Sequence, residues 1–407
     1  MDKKNMIVNV IGMGYIGLPT SLMMAAHGVN IIGTDNNSEL VDRLEHNGKI
    51  FREAGLSELF EEAKKQGIRF SDQYQKADVY IISVPTPYIK KTRKIDPKYV
   101  VAACKSILKI CDDDTIIVVE STISPGTIDH CVRPLLKGRN IHLAHAPERI
   151  IPGNMLNELV HNSRTIGADD PDTAETVRSI YASFCQGEIV LTDIRTAEMS
   201  KVVENTFRDI NIAFANELTK ICHEAGMDVY EVIRIANHHP RVNILQPGPG
   251  VGGHCISVDP WFLVGDFPNL TQLIHSARNV NDSMPGYVFK RIREIMKENG
   301  LTDFSRVGLY GLTYKENVDD TRESPTLQLL DLLRHNHPDF VPLVYDPYIE
   351  KDLVNNQVHD FDEFLAGTDV VVVMVGHSEI TANTGKLAGK FVLDTRNIIS
   401  LEGVYKL

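Results

Sequence analysis

Ten residues near the start of the chain, Val8 to Gly17, read VNVIGMGYIG and limit the possible folds more than any other stretch. An apolar run, Met6 to Ile11, enters glycines at 12, 14 and 17, and a helical pattern follows from Pro19 to His27. In that setting G-x-G-x-x-G describes a strand, a turn and a helix. Gly12 permits the tight turn, Gly14 lets a pyrophosphate approach the backbone, and Gly17 lets the helix pack closely on the strand. The helix N-terminus then faces the anion. The next apolar run, Val29 to Thr34, ends at the acidic Asp35. A carboxylate there accepts hydrogen bonds from both ribose hydroxyls and repels a 2′-phosphate, which favours NAD over NADP. The turn residues Tyr15 and Ile16 are expected beside the cofactor. After Asp35 the first basic residue is Arg43, so this turn offers no early cation to an adenosine phosphate.

The same alternation of short apolar runs and helical patterns continues. Val79 to Val84, Thr115 to Glu120 and Ile141 to Ala144 read as buried strands, and Pro97 to Cys111 as a helix. Such βαβ units predict a mainly parallel sheet, reaching to about Leu191. Pro85 and Thr86 follow one strand, and Thr122 another, at the carboxyl ends where open α/β sheets bind ligands. The pattern then changes. Thr196 to Gly226 has helical periodicity without a break, long enough for a spine between domains or subunits. Asp228 to Asn237 and Leu273 to Lys297 are also expected to be helical. A second alternating region holds Val307 to Tyr310, Val341 to Tyr345, Val370 to Val375 and Phe391 to Leu393 as strands. Ser324 to Arg334 and Asp360 to Ala366 are its helices. The fold class is therefore α/β, with two Rossmann-like doubly wound domains joined by a central helical domain. The expected boundaries are 1–193, 194–298 and 299–407.

Two features of the middle region carry chemistry. Residues 246–261 read QPGPGVGGHCISVDPW, a Gly/Pro-rich loop around Cys255 with Asp259 four residues on. A lone cysteine is either a small buried hydrophobe or, where its pKa is lowered, a nucleophile. His254 is adjacent, but neighbours in an extended loop point apart, so no Cys–His dyad is expected. Lys201, Asn205 and Arg208 lie four and three residues apart on the long helix and share one face. That row is a solvated stripe or a pocket wall. Glu198 and Glu204 are expected to be solvated.

Composition excludes several classes. Lys plus Arg is 42 and Asp plus Glu is 54 in 407 residues, a formal charge of −12, which disfavours nonspecific nucleic-acid binding. No run approaches the roughly 18 apolar residues of a membrane span. The polar start leading directly into a strand gives the expectation of no export signal. The six cysteines are irregularly spaced with no CxxC pair, so reduced thiols in the cytoplasm are expected, with neither disulfides nor a zinc site. No metal site is expected.

Taken together, GMGYIGLP (12–19), VPTP (84–87), ESTISPGT (120–127), APERIIPG (146–153), TAEMSKVVENTFRDINIAFANEL (196–218), GPGVGGHCISVDP (248–260), GLTYKENVDDTRESP (311–325) and DTRN (394–397) resemble the UDP-glucose/GDP-mannose dehydrogenase family over nearly the whole chain. PERIIPG, GVGGHCISVDPWF and LIHSARNVND are most like its UDP-N-acetyl-D-mannosamine branch, with the UDP-N-acetylglucosamine branch the near neighbour. UDP-glucose members typically carry a GGSCFPKD-like loop instead. The resemblance implies oxidation of a sugar CH₂OH to a carboxylate with two NAD⁺, through a thioester on Cys255, for polysaccharide or glycan synthesis. It implies that Lys201 stabilises oxyanions, Asn205 supports the same oxygen, Asp259 helps activate water and Glu148 is a candidate base. Arg149, Ile150, Arg208, Arg241 and Gly252 would line the substrate site, with Arg241 reaching it from a partner subunit. Tyr314 and Lys315 would meet the UDP moiety, and Arg322 the cofactor. A homodimer through the long helix is implied. A different two-domain NAD enzyme would need the glycine turn and the helical lysine but not Cys255. A non-catalytic NAD-binding module would leave Cys255, Lys201 and Asp259 unexplained.

Overall fold

The computed structural model describes residues 6–46, 53–151, 153–253 and 255–407. Pro152 of the APERIIPG stretch and His254 lie outside the described residues. The chain divides into two compact units, Met1–Glu204 and Asn205–Leu407.

The first unit is built on β1 (Ile7–Ile11), β2 (Asn30–Thr34), β3 (Arg69–Ser71) and β4 (Val79–Ile82), then a small hairpin, β5 (Tyr88–Ile89) with β6 (Lys94–Ile95). After it come β7 (Ile116–Val119), β8 (His142–His145), β9 (Arg164–Ala168) and β10 (Ile189–Thr192). The eight-stranded sheet runs β10-β9-β8-β7-β4-β1-β2-β3. Its pairs are parallel except β8 with β9, which run antiparallel. Strand order reverses between β1 and β4, the place where doubly wound sheets open a crevice. Alternate residues serve opposite faces, as the two-residue period of a strand requires. Val79 and Ile81 of β4, with Ile116 and Val118 of β7, join one apolar layer. Tyr80 and Ile82, with Ile117 and Val119, join the other.

The second unit repeats the principle. Strands β11 (Val307–Tyr310), β12 (Leu343–Tyr345), β13 (Gln357–Val358), β14 (Val370–Val373), β15 (Phe391–Asp394) and β16 (Tyr405–Lys406) form a parallel sheet in the order β13-β12-β11-β14-β15-β16. Val370 and Val372 of β14 pack into one layer and Val371 and Val373 into the other.

The long helix spans Ile194–Glu224, 31 residues or about 46 Å at 1.5 Å per residue. The boundary between the units falls inside it, after Glu204. Leu273 to Lys297, expected as one helix, is two: Gln272–Asp282 and Met284–Glu298. Pro285 explains the break. It lacks an N–H and is preset for the first turn of a new helix. No helix among the described residues is long and apolar enough to cross a membrane.

Candidate functional site

At the first turn Gly12 has φ +96°, and its N–H donates to Thr34 O at 2.7 Å. A Cβ on Gly12 would stand 2.5 Å from the Ser83 carbonyl oxygen, and one on Gly17 1.9 Å from the Gly12 oxygen. Both positions therefore require glycine for packing. A Cβ on Gly14 would meet nothing within 4 Å. Since packing does not demand glycine there, the space in front of Gly14 is available to a ligand. Tyr15 and Ile16 flank it, both half-buried. Asp35 closes the turn: its Oδ2 accepts from Met13 N–H at 2.8 Å and its Oδ1 from Asn37 N–H at 2.9 Å. Each carboxylate oxygen retains a second lone pair for a ribose hydroxyl. Thr86 Oγ1 donates to Thr122 O at 2.7 Å, tying together the loops after β4 and β7; Pro85 beside it is exposed. These residues fit NAD, with the pyrophosphate at Gly14 and the helix N-terminus and the ribose at Asp35.

Beneath this turn lies a buried acid–base cluster. Ser83 hydrogen-bonds Glu120, which also accepts from Tyr181 Oη at 2.9 Å. Arg164 sits between two acids, 3.8 Å from Glu120 and paired with Glu148. Its guanidinium lies 4.4 Å from the Tyr181 ring centroid. Burial, reinforced by the nearby Glu148, pushes the Glu120 pKa up to about 7. Glu148 is engaged at both oxygens, by Arg164 and by Arg149 N–H at 2.6 Å. All five Arg149 side-chain donors are occupied: Glu204 takes two, Ser163 two and Thr165 one. Ile150 packs against the apolar core of this unit. Glu198 is buried, not solvated: it accepts from Gly126 N–H and, at 2.9 Å, from Ile128 N–H. Glu204 is half-exposed and ion-paired to Arg149. The Lys201 ammonium is largely buried, and among the described residues no hydrogen bond or ion pair engages it.

In the second unit the long helix grips the glycine-rich loop through three asparagines. Asn211 Nδ2 donates to Asn243 O at 2.8 Å, and Leu245 N–H donates back to Asn211 Oδ1 at 2.9 Å. Gly248 N–H donates to Asn216 Oδ1 at 2.9 Å. Asn205 Nδ2 donates to Asp259 Oδ2 at 2.6 Å, with both side chains buried. A second tier fixes the helix itself: Arg278 is buried against Asp209 at 2.5 Å, and Asn281 bridges Asp209 and Asn216. Cys255 is partly exposed, and its carbonyl accepts from Asp259 N–H at 2.8 Å, which starts the helix Asp259–Asp266.

The loop lies directly on residues 311–325. Gly253 N–H donates to Arg322 O at 2.9 Å. A Cβ on Gly252 would stand 2.6 Å from Tyr314 Cβ, and one on Gly253 2.9 Å from the Tyr314 ring. Arg322 is clamped by Asp320, Nε to Oδ1 at 2.9 Å. That pairing raises the Arg322 pKa, with Tyr314 and Cys255 adding to the effect. Cys255, Asp259, Asn205, Gly252, Tyr314 and Arg322 are thus assembled in one unit, and Lys315 follows on the same loop. Arg208 and Arg241 are exposed. Residue spacing pointed to Asn205 but not to Asn211, Asn216, Asp209, Arg278 or Asn281. The available signal was the run of polar residues on a helix face that otherwise reads as packed.

Comparison with known proteins divides the chain into three segments. Residues 6–185, 195–283 and 308–401 match, in turn, the NAD binding domain, the central domain and the UDP binding domain of the UDP-glucose/GDP-mannose dehydrogenase family. The chain is 44% identical over 404 residues to UDP-N-acetyl-D-mannosamine dehydrogenase of Methanocaldococcus jannaschii, covering 97% of this chain and 92% of that one. The native structure of the UDP-N-acetyl-mannosamine dehydrogenase from Staphylococcus aureus superposes with a TM-score of 0.88 at 43% identity, over 98% of each chain. That of the UDP-D-ManNAc dehydrogenase from Pyrococcus horikoshii gives 0.90 at 34% identity, again over 98% of each.

Proposed function

Since the chain belongs to the UDP-glucose/GDP-mannose dehydrogenase family and is an NAD-dependent oxidoreductase, we propose that it oxidises C6 of UDP-N-acetyl-D-mannosamine to the uronate, a four-electron change using two NAD⁺. The relatives' substrates support the sugar. The observation that carries the chemistry is Asp259, whose N–H donates to the Cys255 carbonyl and whose carboxylate is held by Asn205.

NAD⁺ supplies the acceptor for both hydrides, one from the alcohol carbon and one from the sulfur-bound carbon. The Cys255 thiolate adds to the aldehyde carbon, forming a C–S bond and moving the carbonyl electron pair onto oxygen. Lys201, a buried ammonium one helical turn before Asn205, stabilises that developing charge. The covalent bond retains the half-oxidised sugar between the two oxidations. Water then adds to the thioester carbon, the C–S bond breaks, and carboxylate, thiolate and two protons are released. Asp259 and Glu148 are the candidate bases for this step; Asp259 is held by Asn205, and both Glu148 oxygens accept hydrogen bonds. The segment 1–193 would hold NAD, 194–298 the catalytic helix and loop, and 299–407 the UDP moiety, with Tyr314 and Lys315 as contacts. The long helix exposes Val203, Phe207, Phe214 and Ile221 at spacings of four, seven and seven, which is one helical face. A second copy of the chain covers that face in this reading. The product would serve polysaccharide or glycan synthesis in the cytoplasm.

The test is NADH release with UDP-N-acetylmannosamine, UDP-N-acetylglucosamine and UDP-glucose. The expected result is two NADH per sugar and the highest kcat/KM for the first substrate. Cys255→Ser is expected to form no acid while still binding NAD. One NADH per sugar, or an unchanged steady-state rate in that variant, removes the covalent mechanism.

A further inference from the structure

The second unit contains a copy of the first unit's turn with one addition. Gly311 has φ +99° and its N–H donates to Tyr345 O at 2.7 Å, matching Gly12 and Thr34 in both respects. Asp346 directly follows β12 as Asp35 directly follows β2. Asp346 Oδ2 accepts from Leu312 N–H at 2.6 Å and Thr313 N–H at 3.0 Å, and Oδ1 from Tyr348 N–H at 2.8 Å. Asp35 likewise binds the amide after its glycine and the amide two residues beyond itself. The addition is His377. Its Nε2 lies 3.2 Å from Asp346 Oδ2, and both side chains are fully buried. The acid that would face a ribose in the first unit is therefore capped in the second.

The hydrogen-bond pattern assigns the imidazole proton. Nδ1 accepts from Asn317 N–H at 2.9 Å, so Nε2 carries the hydrogen and points it at Asp346. Thr313 Oγ1 stands 3.3 Å from the same nitrogen and donates its own hydrogen to Lys315 O at 2.9 Å. Asn317 has φ +60°, and its Oδ1 accepts from Ser378 N–H at 2.9 Å and Tyr348 Oη at 3.1 Å. The Tyr348 ring lies over the imidazole, centroids 4.9 Å apart. Burial would push the Asp346 carboxyl up, but hydrogen bonds from His377 and the backbone amides outweigh it and hold it below the ordinary range. The segment 312–317 is thus fastened at Leu312, Thr313 and Asn317 to one buried acid–imidazole pair, and Thr313 in turn holds the Lys315 carbonyl. Tyr314 and Lys315 lie inside it.

We propose that His377 and Asp346 are positioning residues for nucleotide binding: the capped acid no longer receives a ribose, and the pair sets the backbone of the Tyr314–Lys315 loop for a uridine diphosphate. This rests on the reading of that loop as the UDP contact. The test uses the full chain, with UDP and NAD⁺ binding by calorimetry, KM and kcat for the UDP-sugar, and thermal melting. His377→Gln keeps a nitrogen donor toward Asp346 but removes the acceptor for Asn317 N–H. His377→Asn keeps an acceptor near the Nδ1 position. The expected result is a tenfold or greater loss of UDP affinity in His377→Gln, a matching rise in KM with little change in kcat, and unaltered NAD⁺ affinity. His377→Asn is expected to recover most of the loss. Asn317→Gly, at an exposed position whose φ suits glycine, is expected to weaken UDP at least threefold without lowering the melting temperature. UDP affinity within twofold of wild type in His377→Gln and Asn317→Gly overturns the proposal. So does an equal loss of UDP and NAD⁺ binding, which marks a merely structural role. A wild-type chain that binds NAD⁺ but not UDP defeats the UDP reading itself, a result distinct from either.

Discussion

Gly14→Ala separates what the first turn does for the fold from what it does for the ligand. The added Cβ at Gly14 meets no atom within 4 Å, whereas at Gly17 it would lie 1.9 Å from a backbone oxygen. Gly14 also has no positive φ, and its carbonyl accepts from Leu18 N–H at 3.2 Å in the first helical turn. Alanine suits such a position, so Gly14→Ala should hold or raise stability by up to about 1 kcal/mol. Gly17→Ala must displace backbone and should cost about 3 kcal/mol or prevent folding. The new methyl at Gly14 occupies the place of the pyrophosphate and should break one charge-assisted hydrogen bond to the turn. Such bonds contribute about 1.5–3 kcal/mol, which is roughly 10- to 150-fold in NAD affinity. Calorimetric titration with NAD⁺ alongside thermal melting reads both effects. If Gly14→Ala bound NAD⁺ as tightly as wild type with the melting point unchanged, the pyrophosphate would have to lie elsewhere and the assignment of the turn would be wrong.

Arg164→Met leaves Glu120 and Glu148 buried without their shared cation and should destabilise the chain by about 3–5 kcal/mol, measured by urea denaturation. An effect under 1 kcal/mol would mean those acids are not held by charge. Glu120, raised to about 7 chiefly by burial, binds its proton more tightly folded than unfolded. Its contribution is therefore full below about pH 4.5 and is lost as pH rises through 7. The stability of Glu120→Gln relative to wild type should rise by on the order of 2 kcal/mol between pH 5 and pH 8. A pH-independent difference refutes the shift. Phe207 is 64% exposed and Phe214 51% on one helical face, so Phe207→Asp with Phe214→Asp should convert a dimer to the 45.5 kDa single chain in light scattering. A wild-type monomer would show that this face has another use.

The parallel sheets were legible because their strands are buried on both faces and read as unbroken apolar runs, as in Val370 to Val373. β9 was not, because it opens on Arg164, whose buried charge is intelligible only once Glu120 and Glu148 are seen on either side. Glu198 was misread for the same reason: its partners are amides some seventy residues away. The glycine turn, Asp35, Cys255 and Lys201 stood out through spacing or resemblance. The assembly around Cys255 did not, because Arg322, Asp320 and Asn205 reach it from distant parts of the chain. Local pattern contains no information about which polar side chain a fold will place against which loop.

The cysteine loop also shows why a long helix and a glycine-rich segment occur together. Glycines at 252 and 253 are needed because Tyr314 leaves no room for a Cβ, yet glycine makes the unbound loop conformationally costly to order. Apolar contacts cannot supply the fixation, since such a loop has few side chains to bury. Backbone groups must be held instead, and the helix provides side-chain amides at half-buried Asn211 and buried Asn216 that each engage backbone of the 243–248 segment, while Asn205 holds the loop's acid. Asn216 is fixed in turn by Asn281, which also donates to Asp209, itself paired with Arg278. The stretch of helix that carries the exposed apolar residues Val203, Phe207 and Phe214 also carries the three attachments to the segment from Asn243 to Asp259.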